Sequence, residues 1–260
     1  MLRFDHKPAL VAYVTCGDPD METTHAIVLA AIDAGADVVE LGVPFSDPIA
    51  DGPVIQRASE RALRAGTTLK QVLTLARAVR AARPRSGLII FSYLNPILRL
   101  GVARFCAAAA DAGVDGALIT DLTVDEAGEY IASMRQRKLA TVFLAAPTSP
   151  DARLAKIAEA SRGFIYAVSR TGVTGTHADV SSDAQALVER IRKFSRLPVA
   201  VGFGISTPEQ FVDVGKWADA VVVGSAIVER IEKNLGREAA AVAQFIGSLH
   251  RHATSTVSSR

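Results

Sequence analysis

Two carboxylates in one short segment could carry out acid–base chemistry. Glu40 lies near the end of an apolar run, residues 38–43, that is typical of a buried strand, and Asp51 lies beyond the Gly-, Pro- and Asp-rich residues that follow. A buried carboxylate without a partner is costly, because its charged form loses the solvation of water. A carboxylate at a strand end with a second one across a loop therefore indicates a general acid and base, although a single one is more often a cap or an ion pair.

Three features of this segment favour chemistry over a structural role. The neighbours of Glu40 in the sequence are apolar, prolines stiffen the loop, and glycines on both sides of it allow the backbone to approach a ligand closely. The residues concerned are Val39, Leu41, Pro44, Pro48, Pro53, Gly42 and Gly52.

Three glycine-containing segments are suited to binding a phosphate group. They are residues 169–175, 202–206 and 224–225, and they follow the sixth, seventh and eighth predicted strands. Backbone N–H groups at a helix N-terminus bind anions, and residues 224–225 open a predicted helix. Each segment alone is weak evidence, because glycine is common where a strand turns into a helix. Together they predict a phosphorylated small-molecule substrate.

The remaining polar residues favour acid–base catalysis without a cofactor. A Schiff-base enzyme needs a lysine at a strand end, and all seven lysines fall on predicted helices or before predicted strands. A metal-dependent aldolase needs clustered ligands. Of the five histidines only His177 lies in a strand-end loop, where a surface position suits it better. The sequence therefore predicts no metal ligands and no cofactor bound by this chain.

Short apolar runs alternate with longer amphipathic stretches, and this alternation predicts the elements that position the site. The predicted strands are residues 10–14, 38–41, 87–92, 116–120, 141–145, 164–168, 199–201 and 220–223, mostly continuous apolar runs that suit strands covered on both faces. The amphipathic stretches include residues 21–34, 102–112, 151–160 and 182–193. Expected helix boundaries are a start near Pro53, an end at Gly66, a start at Thr68, and a cap at Ser182 or Asp183.

A weak internal echo supports a repeated strand–helix unit. Ala-Gly-Ala-Asp ends at Asp37, Ala-Gly-Val-Asp at Asp115 and Trp-Ala-Asp at Asp219, and each segment precedes a predicted strand. With 260 residues and no linker, the chain is predicted to form an α/β fold, a single (β/α)8 TIM barrel over residues 1–252, followed by a polar tail over residues 253–260. The active site of such a barrel lies at the C-terminal ends of the strands, where Glu40 and Asp51 fall.

Composition argues against several other classes of function. Lys and Arg number 29 against 27 Asp and Glu, a formal net charge of +2, so no surface for nucleic acid or an anionic membrane is expected. No apolar run reaches the roughly 18 residues that a membrane helix needs, and residues 1–7 lack the apolar region of a secretory signal. Cys16 and Cys106 are expected to be free thiols in a reducing compartment, which favours a cytoplasmic protein.

Residues 40–53, with the sequence ELGVPFSDPIADGP, resemble the signature of the tryptophan synthase alpha subunit family nearly residue for residue. Five further segments match the family in order: residues 13–19, 92–96, 146–150, 169–175 and 201–205. The resemblance covers roughly residues 9–250. It implies a (β/α)8 barrel and a lyase that cleaves indole-3-glycerol phosphate to indole and D-glyceraldehyde 3-phosphate, a retro-aldol reaction of L-tryptophan biosynthesis.

The resemblance also implies roles for individual residues. Glu40 would be the acid–base residue, and Asp51 would bind the indole N–H and stabilise the positive charge that develops there. Thr174 would close over the site and bond to Asp51. The other substrate-binding residues would be Tyr166 near Glu40, Phe203 against the indole ring, Tyr93 in the pocket wall, and Gly175, Gly204, Gly224 and Ser225 around the phosphate. For Tyr93 and Tyr166 an ordinary core position is the alternative.

A partner follows from the same resemblance. The family works as an α2β2 complex that passes indole to a beta subunit, and Asp47, Pro48 and residues 93–96 match positions that face this partner. Pyridoxal phosphate would belong to the beta subunit, since this chain has no lysine placed to bind it. Two departures from the family stand out: the N-terminal helix is short or absent, which bears on stability, and Thr123 stands where Pro is common, which bears on the rigidity of the fourth loop.

This function has three alternatives. Another phosphate-binding barrel enzyme, such as a sugar-phosphate isomerase, would lack the signature in residues 40–53. A non-catalytic activator of a beta subunit would not need both Glu40 and Asp51. A stand-alone indole-3-glycerol phosphate lyase that needs no partner is compatible with all of these residues.

Overall fold

The computed structural model describes residues 2, 4–168, 177–202 and 204–257 of the chain. The strands are β1 (Ala9–Thr15), β2 (Val38–Gly42), β3 (Gly87–Ser92), β4 (Gly116–Ile119), β5 (Ala140–Val142), β6 (Leu144–Ala145), β7 (Ile165–Val168), β8 (Val199–Gly202) and β9 (Ala220–Val223). The helices are α1 (Met21–Asp33), α2 (Pro53–Arg64), α3 (Leu69–Ala82), α4 (Leu94–Leu100), α5 (Val102–Asp111), α6 (Gly128–Gln136), α7 (Asp151–Ala160), α8 (His177–Arg192), α9 (Pro208–Gly215), α10 (Ser225–Lys233) and α11 (Glu238–Val257).

All nine strands are parallel neighbours in one sheet, which curls into a nearly closed barrel. The order is β5-β4-β3-β2-β1-β9-β8-β7-β6, so the two edge strands are consecutive in the chain. They are two halves of the predicted fifth strand, 141–145, with Phe143 between them. The first half pairs with β4 and the second with β7. The predicted barrel is thus confirmed, and its fifth strand changes partners midway because it joins the two sides.

The predicted helix boundaries agree with the structure except at one helix. Pro53 is the first residue of α2, Gly66 follows its end with a φ of 80°, and Thr68 caps α3 through a capping box with Gln71. The predicted cap at Ser182 or Asp183 is wrong, because α8 begins at His177 and both residues lie within it. Helix α11 continues to Val257, beyond residue 252, where the sequence placed the end of the domain.

The amino-terminal half of the barrel interior is filled by apolar side chains. They belong to Ala9, Val11, Val38, Ile89, Leu118, Val142, Phe164, Ala200, Ala220 and Val222. Leu2 and Phe4 pack against this cluster, and the rings of Phe4 and Phe164 are 5.7 Å apart. Among the described residues no helix precedes β1. Leu2 and Phe4 therefore contribute apolar cover to this end of the barrel.

The repeated aspartate before a strand, at Asp37, Asp115 and Asp219, is explained by hydrogen bonds. Each carboxylate accepts the backbone N–H near the start of the neighbouring strand: Asp37 from Leu10 at 2.8 Å, Asp115 from Leu88 at 3.0 Å, and Asp219 from Val199 at 2.9 Å. Each bond satisfies a backbone N–H at the amino end of a strand, which would otherwise be buried without a partner. The repeated aspartate thus joins adjacent strands at their amino ends.

Candidate active site

A cavity of about 390 Å³ opens at the carboxyl ends of the strands. Its lining includes Glu40, Asp51, Tyr166, Gly204, Gly224 and Ser225, which the sequence predicts as site residues. Three further predicted site residues, Thr174, Gly175 and Phe203, lie outside the described residues. The structure thus brings the two carboxylates and three of the predicted phosphate-binding residues into one concave space.

Glu40 is the most unusual polar group of the cavity. It lies on β2 opposite Tyr13 of β1 and is fully buried. Neither carboxylate oxygen has a hydrogen-bond partner among the described residues. Burial therefore raises the pKa of Glu40 to about 8. At pH 7 this side chain is therefore mainly protonated, and its pKa is close enough to 7 for it to act as a general acid.

Asp51 has a different environment in the loop between β2 and α2. Burial raises its pKa to about 6, and the hydrogen bond from Tyr93 opposes that rise. The Tyr93 hydroxyl donates to Asp51 Oδ2 at 3.1 Å, and the Gln56 side chain donates to the Asp51 carbonyl at 2.8 Å. At pH 7 Asp51 is therefore mainly ionised, whereas Glu40 is mainly protonated. The two carboxylates are suited to opposite roles, one as an acid and one as an anion.

Tyr93 does not line the cavity, although the sequence places it in the pocket wall. Its side chain is buried, and its hydroxyl accepts the Ala50 N–H at 2.9 Å while it donates to Asp51. Its ring contacts Phe45, with the centroids 5.1 Å apart. The pocket-wall role is thus replaced by a contact with the loop that carries Asp51.

Tyr13 lines the cavity and was missed by the sequence analysis. A Cβ atom at Gly42 would collide with the Tyr13 hydroxyl, and one at Gly202 would collide with the Tyr166 hydroxyl. The two glycines near strand ends therefore make room for two phenol groups. Each tyrosine and its glycine lie on neighbouring strands, so no local signal in the sequence could have identified Tyr13. Phe91, Ile55 and Thr120 were also missed as lining residues.

The opposite wall of the cavity exposes backbone at a helix start. Gly224 precedes α10 without a side-chain cap, and Ser225 is the first residue of that helix. Gly204 has a φ of 39°, in the left-handed region that favours glycine. No lysine, arginine or histidine occurs among the described lining residues. An anion bound on this side would rely on backbone N–H groups, the Ser225 hydroxyl and the helix dipole.

A partly buried ion-pair network connects the two helices that border the cavity. Arg61 of α2 donates to both oxygens of Asp18, at 2.7 and 2.8 Å, and to Glu232 of α10 at 2.8 Å. Arg57 forms a second bidentate pair with Glu232. Since α2 begins two residues after Asp51 and α10 begins at Ser225, this network fixes both cavity walls relative to each other.

The described residues contain neither a metal-binding cluster nor a membrane-spanning helix. No group of three or more His, Cys, Asp and Glu side chains is arranged to hold a metal ion. Within the same residues, no helix has both the length and the apolar composition needed to span a membrane.

The strand order and the cavity with two carboxylates at the carboxyl ends define the molecule as a (β/α)8-barrel enzyme. Residues 1–257 match the family model described as tryptophan synthase alpha chain. A tryptophan synthase alpha chain from Solibacter usitatus is 53% identical over 233 residues, which are 90% of this chain and 87% of that relative. The chain therefore belongs to the tryptophan synthase alpha chain family.

Solved structures agree with this family. The alpha subunit of tryptophan synthase from Legionella pneumophila is 33% identical with a TM-score of 0.88, over 95% of this chain and 93% of that one. A chain of the tryptophan synthase complex from Pyrococcus furiosus is 38% identical with a TM-score of 0.86, over 94% and 98%. The predicted family, fold and activity are confirmed: the chain is a lyase of tryptophan biosynthesis that cleaves indole-3-glycerol phosphate.

Proposed function

We propose that Glu40 and Asp51 catalyse the retro-aldol cleavage of indole-3-glycerol phosphate in this cavity. The observation that carries the proposal is the pairing in one space of a buried Glu40, without a hydrogen-bond partner among the described residues, and a hydrogen-bonded Asp51. The reaction breaks the C–C bond between indole C3 and the glycerol chain. The ring is a poor acceptor for the electron pair of that bond until C3 has been protonated.

Glu40 supplies the proton and takes one back. As a neutral acid at pH 7 it protonates indole C3 and becomes a carboxylate. The carboxylate then removes the proton from the glycerol hydroxyl next to the breaking bond. The electron pair of the C–C bond moves into the ring, indole and glyceraldehyde 3-phosphate separate, and Glu40 is protonated again. Glu40 gives up one proton and regains one, so a single residue can perform both transfers.

Asp51 stabilises the intermediate between the two transfers. Protonation of C3 places a positive charge on the ring nitrogen, and an ionised Asp51 accepts the N–H and offsets that charge. Its pKa of about 6 keeps it ionised at neutral pH. Activity should therefore fall below about pH 6, when Asp51 takes up a proton, and above about pH 8, when Glu40 loses its proton.

The remaining residues hold the substrate in this scheme. Gly204, Gly224 and Ser225 bind the phosphate, supported by the open start of α10, and Tyr166 lies beside the reacting carbon. Phe203 against the ring, Gly175 at the phosphate and Thr174 in a closing loop stay predictions of the family resemblance.

We also propose an α2β2 complex with a beta subunit that carries pyridoxal phosphate, while this chain binds no cofactor of its own. Ile49, 87% exposed in the loop that carries Asp51, and Leu98, 56% exposed on α4, are apolar side chains suited to a protein partner. A cytoplasmic location fits the two free, buried cysteines, Cys16 and Cys106. Residues 1–252 are proposed as the catalytic domain.

Release of indole from indole-3-glycerol phosphate by the purified chain tests the proposed chemistry. Glu40→Gln keeps the size of the side chain and removes its titratable proton, so kcat should fall by about 10²–10⁴-fold while the fold is retained. Glu159→Gln changes an exposed glutamate on α7 and should match the parent. A Glu40→Gln variant that is folded and within about threefold of the parent rate would overturn the assignment.

The same assay with and without the beta subunit tests the partner. Strong activation by the beta subunit supports the complex, and full activity of the isolated chain supports a stand-alone lyase. A folded parent chain that releases no indole under either condition would leave only the role of a non-catalytic activator.

A further inference from the structure

Tyr93 makes a contact that the proposed chemistry does not use. It directly follows β3, outside the cavity, and its hydroxyl lies between the backbone N–H of Ala50 and the carboxylate of Asp51. The two contacts differ in direction. Because the oxygen accepts the Ala50 N–H at 2.9 Å, the single phenol proton is the one donated to Asp51 Oδ2 at 3.1 Å.

The position of Tyr93 is fixed independently of Asp51. The residue is 3% exposed, its ring packs against Phe45, and the next backbone N–H, that of Leu94, donates to Asp121 at 2.6 Å. A donor held in this way pre-organises its acceptor, because the entropy of ordering the phenol has already been lost on folding. The second oxygen of Asp51, Oδ1, makes no hydrogen bond within the described residues and is left for a substrate.

Among the described residues, Tyr93 is the one hydrogen-bond donor to the Asp51 carboxylate. Tyr13 of β1, Glu40 of β2 and Tyr166 of β7 face the same space, and Asp121 lies near Tyr93. None of these described groups is a cation. Burial and the neighbouring Asp51 raise the pKa of the Tyr93 hydroxyl well above its ordinary value, so it stays a neutral donor throughout the working range of the enzyme.

We propose that Tyr93 is a positioning residue, whose hydroxyl orients the Asp51 carboxylate and keeps it ionised for the indole N–H. The inference rests on the proposed role of Asp51. A hydrogen bond to the charged form of a carboxylate stabilises that form, and its removal favours protonation. The Ala50 bond adds a second constraint, because it holds the backbone immediately before Asp51.

The test is the pH profile of kcat/KM for Tyr93→Phe, with Tyr130→Phe as the matched control. Tyr130 is also buried, and its hydroxyl donates to the Ala117 carbonyl at 3.1 Å away from the cavity. In Tyr93→Phe the acid limb should move up by about 0.5–1 pH unit. Relative to the parent, activity should fall about two- to fivefold near pH 6, and the difference should disappear near pH 8. Tyr130→Phe should keep the parent's acid limb.

Two outcomes separate this inference from the proposed function. Asp51→Asn should abolish the acid limb, which assigns that limb to Asp51; an unchanged limb would overturn the proposed role of Asp51 itself. If Asp51→Asn removes the limb but Tyr93→Phe leaves it in place, only the inference about Tyr93 fails. A uniform loss of activity at every pH in Tyr93→Phe also overturns it, because a purely structural role predicts that pattern.

Discussion

The two ends of the barrel differ in how they accommodate carboxylates. At the amino ends, Asp37, Asp115 and Asp219 each accept a backbone N–H from the neighbouring strand. At the carboxyl ends, Glu40 is buried with no hydrogen-bond partner among the described residues. A satisfied carboxylate stabilises the fold, whereas an unsatisfied one destabilises it and becomes easy to protonate. The contrast separates stability from reactivity along one barrel axis.

The carboxyl side also contains a carboxylate that follows the stabilising pattern. Asp18, in the loop after β1, is 2% exposed and receives two hydrogen bonds from Arg61. Position in the barrel therefore does not by itself make a carboxylate reactive. What distinguishes Glu40 is the absence of any donor among the described residues around it.

The largest expected effect is that of Glu40→Gln, which should lose activity and yet gain stability relative to the parent as the pH rises. The pKa of Glu40 is raised from 4.5 to about 8 in the folded state, so between these values the folded chain binds more protons than the unfolded chain. The contribution of Glu40 to stability is complete below about pH 4.5 and is lost as the pH rises through about 8.

Glutamine does not titrate, so its contribution to the free energy of unfolding does not depend on pH. The variant should gain stability relative to the parent as the pH increases, by at most about 1.4 kcal/mol per pH unit, even though its activity is lost. Urea unfolding near pH 5 and near pH 8.5 measures the difference. A variant that loses stability equally at both values would contradict the account of Glu40 as an unsatisfied acid.

The next largest effect is expected for Arg61→Ala. It leaves the buried Asp18 without its guanidinium partner and should lower the free energy of unfolding by about 2–3 kcal/mol, below the usual cost of a fully buried pair because Arg61 is 31% exposed. Arg57→Ala removes a more exposed pair with Glu232 and should cost less than about 1 kcal/mol. Equal losses in the two variants, measured by urea unfolding, would show that burial of Asp18 does not decide the energy.

A smaller effect is expected for Asp115→Ala at the amino ends. The change removes the acceptor for the Leu88 N–H and for Arg80, which bonds to Asp115 at 2.7 Å. Stability should fall by about 2 kcal/mol, while kcat/KM stays within about twofold of the parent. The exposed Asp111→Ala should change stability by less than about 0.5 kcal/mol. A large loss of kcat/KM in folded Asp115→Ala would break the separation between the two ends.

The sequence predicted most of the fold because its strands are buried on both faces. Continuous apolar runs located all eight predicted strands, but they could not show that the fifth one divides at Phe143. The strand divides because its two halves pair with different neighbours, β4 and β7, and a short apolar segment does not indicate which strands it will pair with. The early start of α8 was missed for a related reason: Ser182 and Asp183 are typical caps, yet they are also tolerated inside a helix.

The candidate site was predictable where a functional residue stands out from its neighbours in the sequence. A carboxylate in an apolar run and glycines after strands are visible in the sequence, and they predicted Glu40, Asp51, Gly204 and Gly224, which line the cavity. Tyr13 and the true contact of Tyr93 were not visible in this way. Each depends on strand register or on a loop that returns to its neighbour, so only the fold brings the tyrosine to its partner.

The protonation state of Glu40 tests the central claim most directly. Infrared spectra of the parent minus those of Glu40→Gln isolate the carbonyl band of the protonated Glu40 carboxyl group and allow it to be titrated. The account predicts that this band is present at pH 7 and disappears with a midpoint near pH 8. A midpoint near the ordinary value of about 4.5 for a glutamate would contradict it, because Glu40 would then have no proton to donate at neutral pH.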